Sequence, residues 1–304
     1  MPNGGNDVVS IALREAPEPP YLVAVPDDER AESPFDRGDG PLAILRRKIS
    51  SRLARHVPLG RRRLVNVAPM VSFTFDDAAA SAGVAGAERL EKMGGRGTYY
   101  VASALIGRRE AGYAVIDRDG LRELHRKGHE IGLHGNVHRA VGEFSAQGFR
   151  DDLQRNRECL QAIDDGVRPT NFAYPHGLAT FARKRQLYEL VTSSRGVAPG
   201  IVAGDFDPQF LRCVELADRR LTFERLVGYL DAVVRSTGWL IFCSHDIVSA
   251  PSRYGCTLDL FQRALDGAAS RGLEFVTIAG GLARSRAVGR RALSMSEATG
   301  SKLY

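Results

Sequence analysis

The chain has 304 residues, 43% hydrophobic and 26% charged, enough to bury one large core, and carries a formal net charge of +6. That charge is too modest for the length to imply nucleic acid, and no run of about eighteen apolar residues offers a membrane span. The opening MPNGGNDVVSIALREAPEPP lacks the basic-then-apolar order of a secretion signal, so the expectation is a cytoplasmic globular protein. Cys159, Cys213, Cys243 and Cys256 are widely spaced with no CxxC pair, which argues against a zinc knuckle or a disulfide scaffold.

In chain order, residues 1–41 are rich in Pro, Gly, Asp and Glu without apolar periodicity and read as a disordered leader. Residues 42–69 reverse the charge. In LAILRRKISSRLARHVPLGRRR every charge is basic, and Leu42, Leu45, Ile49 and Leu53 recur at helical spacing, which predicts a basic amphipathic helix. Either the helix packs on the domain with a solvated basic face, or residues 42–63 touch a membrane surface.

From Met70 to residue 284, β-rich runs alternate with amphipathic helices. The predicted strands are VSFTF, RGTYYVA, HEIGLHG, TNFAYP, ELVTSS, RCVEL, WLIFCSH and LEFVTI. Between them the pattern predicts helices over AERLEKMG, over DGLRELHRKG capped by Asp119, and over FRDDLQRNRECLQAI and ARKRQLYEL. Two more follow Thr222 and Thr257. Repeated strand–helix units over roughly 215 residues favour a distorted parallel (β/α) barrel of about seven strands. Residues 285–304 read as a basic, frayed tail.

In such a barrel the working side chains gather at the carboxyl ends of strands. Asp76 and Asp77 follow VSFTF, His134 and His138 follow HEIGL, Tyr174, Pro175 and His176 follow NFA, and His245 and Asp246 follow WLIFCS. His134 and His138, four residues apart, can face one ion, and an aspartate completes an open His–His–Asp site suited to Zn²⁺, with Co²⁺, Ni²⁺ or Mn²⁺ able to use the same donors. Adjacent carboxylates can then divide two tasks, one ligating and one acting as general base.

Together these residues resemble the NodB-homology polysaccharide deacetylases, carbohydrate esterase family 4, over roughly residues 71–283. The resemblance of TFDD implies Asp76 as general base and Asp77 as metal ligand; that of HGNVH implies His134 and His138 as ligands. Gly135 stands where the family carries Ser or Thr, so a hydroxyl that would fix the loop is missing. FAYPHG is similar to the third motif, implying a backbone N–H near Tyr174 for the oxyanion and a groove lined by Tyr174, Pro175 and His176. That motif's arginine is absent, since Phe172 and Ala173 precede the tyrosine, and Arg212 in FLRCVEL is the candidate to orient Asp76 in its place. The tryptophan-containing fourth motif is not recognisable; Asp205 or Asp207 in GDFDP is the candidate substitute. IFCSHD is similar to the fifth motif and implies His245 as general acid.

The resemblance implies metal-dependent removal of N-acyl groups from an amino-sugar saccharide or lipid-linked glycan. Two alternatives are kept: a hydrolase of cyclic amides, imides or N-formyl groups, and a glycan-binding protein without activity.

Overall fold

The computed structural model describes residues 40–110 and 112–288; of the leader expected over residues 1–41, residues 1–39 lie outside them, as does the end of the tail, and Pro41 already begins a helix. The elements follow in the order α1 (Pro41–His56), β1 (Arg62–Leu64), β2 (Met70–Phe75), α2 (Ala87–Lys92), β3 (Thr98–Val101), β4 (Arg109–Glu110) and β5 (Tyr113–Ala114). Next come α3 (Arg118–Arg126), β6 (Glu130–Leu133), α4 (Ala146–Gln161), β7 (Asn171–Ala173), α5 (Phe181–Leu190), β8 (Ser193–Arg195) and β9 (Asp205–Phe206). The chain continues through β10 (Val214–Glu215), α6 (Phe223–Ser236), β11 (Trp239–Ser244), α7 (Leu258–Ala269), β12 (Glu274–Phe275), α8 (Ile278–Ala283) and β13 (Ser285–Ala287).

Seven parallel strands in the order β10-β11-β2-β3-β6-β7-β8 form a curled half-barrel, with β12 also paired to β2. A single parallel bridge, Arg195 to Leu211, brings edge strand β8 back to the segment leading into β10. The fold is the distorted (β/α) barrel that the strand–helix alternation predicts. β1 pairs with β13 and β9 in a separate three-stranded antiparallel sheet, so segments expected as linker and tail are partly strand.

Strand alternation sorts side chains between two packed layers. Phe73, Phe75, Tyr99, Val101, Phe172, Leu240 and Phe242 pack with the surrounding helices. Met70, Tyr100, Ala173, Cys213, Trp239, Ile241 and Cys243 fill the barrel interior. Gly132 belongs to the same inward series: a Cβ there would come within 2.6 Å of the Tyr100 ring.

Boundaries move in three places. Glu189 and Leu190 end α5 rather than begin a strand, so β8 runs one residue further than ELVTSS, to Arg195. The cap of α3 is Asp117, whose carboxylate accepts the Gly120 N–H, and Asp119 sits in the first turn. The apolar stripe of α1 does not pack on the body: Leu42 is 74% exposed, Leu45 53%, Ile49 51% and Leu53 42%. The helix docks instead by its carboxyl-terminal end, where buried Lys184 donates to the carbonyls of Ala54 at 2.7 Å and Val57 at 2.8 Å and pairs with Asp207.

Candidate metal and catalytic site

β2 ends at Phe75, and its inward series Met70, Ser72, Thr74 continues to Asp76, which is 5% exposed. Asp77 then leaves the strand with φ 57° and Ala78 follows with φ 50°. This left-handed turn, not strand alternation alone, separates the two carboxylates. Five non-glycine residues among those described have left-handed φ, and four of them, Asp77, Ala78, His138 and His176, are at this site. Each such conformation costs on the order of 1–3 kcal/mol and persists only where its surroundings enforce it.

Asp77, His134 and His138 present one donor atom each, all within 4.8 Å of one another. Asp77 Oδ1 lies 3.0 Å from His138 Nε2 and 3.5 Å from His134 Nε2, yet it is buried and accepts no hydrogen bond. His134 Nδ1 sits 2.9 Å from the Ala173 carbonyl, which can only accept, so Nδ1 carries the proton and Nε2 offers a lone pair. Burial lowers the His134 imidazole, and burial followed by His134 itself lowers His138 to about 3, so both rings are neutral at ordinary pH. The His134 Nε2 lone pair and Asp77 Oδ1 thus face a space that His138 Nε2 also borders, a donor set that fits a divalent cation.

The loop carrying these histidines is tied from α4. Asp152 accepts the N–H groups of Asn136 at 2.9 Å and Val137 at 3.2 Å, and Asn156 accepts the His134 N–H at 3.1 Å. Gly135, at φ +75°, would place a Cβ 3.1 Å from Asp152. The carboxylate therefore fixes the loop without the hydroxyl missing at position 135.

Asp76 faces a different partner. Its Oδ1 accepts from the Arg195 guanidinium, itself 1% exposed, packed 5.1 Å from the Tyr100 ring and donating to the Gly196 carbonyl. Burial alone would raise the Asp76 carboxyl, but Arg195, then His134 and His245, outweigh it and hold it at about 2. His245 follows β11 with its Nε2 3.9 Å from Asp77 Oδ2 and its ring 5.3 Å from that of Tyr254.

Residues 65–190 match the family model for polysaccharide deacetylase. No curated protein matches the chain. Solved structures share the fold. A deacetylase with substrate is 16% identical at a TM-score of 0.51, covering 73% of this chain and 94% of its own. The Xyl-CE4 domain of a multidomain xylanase from the hindgut metagenome of Trinervitermes trinervoides is 15% identical at 0.51, covering 71% and 91%. A point mutant of the peptidoglycan deacetylase PdaC from Bacillus subtilis is 17% identical at 0.50, covering 72% and 92%.

Within and beyond residues 65–190 several expected positions need correction. The arginine at Asp76 is Arg195; Arg212 points away, donating to the Pro199 carbonyl at 3.0 Å. Arg195 is the last, inward-facing residue of β8, and the strand-end rule reaches it once the strand is extended by one residue. Neither Asp205 nor Asp207 approaches the site, since Asp205 pairs with Arg63 and Asp207 with Lys184. Tyr174 does not line a groove: it is 1% exposed, packed edge-on against Phe172, and its N–H already donates to the Arg195 carbonyl at 3.1 Å. Pro175 is likewise buried. His176 alone of the three is exposed, with Nε2 3.1 Å from the His138 carbonyl. Tyr113, which no strand-end pattern singles out, donates its hydroxyl to Asp77 Oδ2 at 2.6 Å.

The Asp76 carboxyl titrates lower in the folded chain, at about 2, than its ordinary 3.8. Its contribution to stability is complete above the ordinary value and disappears as pH falls through the folded one. Urea unfolding of wild type and Asp76→Asn should show a stability difference that is constant from about pH 7 to 5 and shrinks between about pH 4 and 2. A difference independent of pH across that range would remove the ion pair as its source.

Proposed function

We propose that the protein is a metal-dependent hydrolase that removes N-acyl groups, acetyl first among them, from an amino-sugar-containing saccharide. The observation that carries this reading is the pairing of a buried Asp77–His134–His138 cluster with an adjacent, ionised Asp76. Those three residues would hold a divalent ion, Zn²⁺ on the chemistry of the donors with Co²⁺, Ni²⁺ or Mn²⁺ as substitutes, and such an ion supplies Lewis acidity toward the acyl oxygen and water.

Asp76 takes the proton of the attacking water. Arg195 keeps that carboxylate ionised and aimed, as a positioning residue. His245 stands on the other side of Asp77 and gives a proton to the departing amine, without which the nitrogen is a poor leaving group. Within 174–178 the N–H groups of Tyr174, Gly177 and Leu178 are spent on carbonyls and Pro175 has none, which leaves the His176 amide as the oxyanion donor of that turn.

The same reading places the enzyme at the cytoplasmic face of a membrane, acting on a lipid-linked glycan. Leu42, Leu45, Ile49 and Leu53 are exposed on α1, and the chain from Pro41 through Phe75 contains basic but no acidic residues. An anionic leaflet complements both features. No helix among the described residues is long and apolar enough to cross a membrane.

Metal-loaded wild type should release acetate from N-acetylated amino-sugar oligomers, and Asp76→Asn should fall by at least ~100-fold while still binding metal. Formate release or ring opening of a cyclic imide, with no acetate, would redirect the reading to those substrates; metal binding with no turnover of any would leave a binding protein.

Sedimentation with vesicles should pull down wild type with phosphatidylserine-containing lipid but not with pure phosphatidylcholine, with retention lost in Leu45→Glu/Ile49→Glu. Equal retention on both lipids, or none, would contradict the membrane contact.

A further inference from the structure

The hairpin β4–β5 is short, with Arg109 opposite Ala114 and Glu110 opposite Tyr113, and it does not join the barrel sheet. Its return strand runs directly into the metal-side turn. Val115 bridges Ala79 in antiparallel fashion, the Ile116 N–H donates to the Ala78 carbonyl at 3.0 Å, and Val115 N–H donates to the Arg108 carbonyl at 2.8 Å. The segment that carries Tyr113 is thus stitched to the two residues following Asp77, one of which, Ala78, has left-handed φ. Glu110, the neighbour of Tyr113 across the hairpin, has Oε1 4.0 Å from His138 Nδ1.

Tyr113 is 7% exposed and its hydroxyl meets Asp77 Oδ2 at 2.6 Å. A phenol hydroxyl at neutral pH carries its proton and a carboxylate can only accept, so Tyr113 is the donor of this bond. Asp77 Oδ2 has a second neighbour, His245 Nε2 at 3.9 Å, whereas Oδ1 faces the histidine pair. A carboxylate beside a cation can ligate through either oxygen or both, and the groups around it decide which.

We propose that Tyr113 is a positioning residue of the metal centre: its hydroxyl occupies Asp77 Oδ2, commits Asp77 to ligation through Oδ1 alone, and keeps His245 from being captured by the same carboxylate. The paired strands β4 and β5 are on this account part of the site. The inference rests on Asp77, His134 and His138 holding a cation, as proposed above.

Loss of the hydroxyl has two expected consequences. Oδ2 is left buried without its donor, so the carboxylate rotates or becomes bidentate and the ion is held less well. Oδ2 also becomes free to accept from His245, which withdraws the proton donor from the substrate side.

The test is Co²⁺ binding by wild type and Tyr113→Phe, followed by calorimetry and by the visible absorption of the bound ion. Thermal unfolding of the metal-free proteins confirms that both are folded. Tyr113→Phe should bind Co²⁺ about 10- to 100-fold more weakly, with a shifted visible spectrum. At saturating metal, kcat should fall about tenfold or more with KM little changed. Equal affinity and an unchanged spectrum would overturn the role of Tyr113 while leaving the metal site intact. Failure of wild type to bind any divalent ion would overturn the metal site itself. Should Tyr113→Phe not fold, a metal-loaded wild-type structure decides the same point: ligation by Oδ1 with Tyr113 still on Oδ2 supports the role, and bidentate Asp77 contradicts it.

Discussion

The buried ion pair between Arg195 and Asp76 is the interaction on which the site is organised. Asp76 directly follows β2 and Arg195 ends β8, four neighbours apart in the sheet, so the pair spans the interior of the curled barrel instead of joining adjacent strands. Neither charge would be tolerable alone in that interior. Arg195 is further satisfied by the Gly196 carbonyl and the face of Tyr100, and Asp76 stays ionised despite its burial. A carboxylate held as an anion beside a cation-shaped cluster is what proton abstraction from water needs.

The second constraint is local strain. Left-handed backbone at Asp77, Ala78 and His138 lets neighbours in sequence serve different partners: Asp76 turns to Arg195, Asp77 to the histidines. The strain is held by surrounding bonds. Asp152 and Asn156 fix the histidine loop from α4, and the segment after Tyr113 fixes the turn after Asp77. The position of each donor is thereby set by elements other than the one that carries it.

Much of the site was legible because strand-end placement and residue type coincide. Asp76, Asp77, His134, His138 and His245 all follow apolar strands, and the structure gathers them. Arg195 was not legible for a narrow reason: the polar ELVTSS run has no apolar alternation to mark where α5 stops and β8 ends, and a one-residue error hid the inward position. Tyr174 looked like a groove residue because it follows a strand, but it sits below the rim, where its ring fills the core between Phe172 and Phe210. Tyr113 lies on two-residue strands too short to show a period, and only tertiary pairing with Ala79 brings it to Asp77. For α1, spacing gave the helix and its apolar stripe, but periodicity carries no information on whether a stripe faces core or solvent.

Anomalous diffraction from crystals grown with Zn²⁺ or Co²⁺ tests the central claim most directly, that one cation is shared by Asp77, His134 and His138 while Asp76 stays with Arg195. The account predicts a single peak within ligand distance of Asp77 Oδ1 and the two Nε2 atoms, with the Arg195–Asp76 pair intact. A peak ligated by Asp76, or a metal bound elsewhere with the three donors vacant, would contradict it.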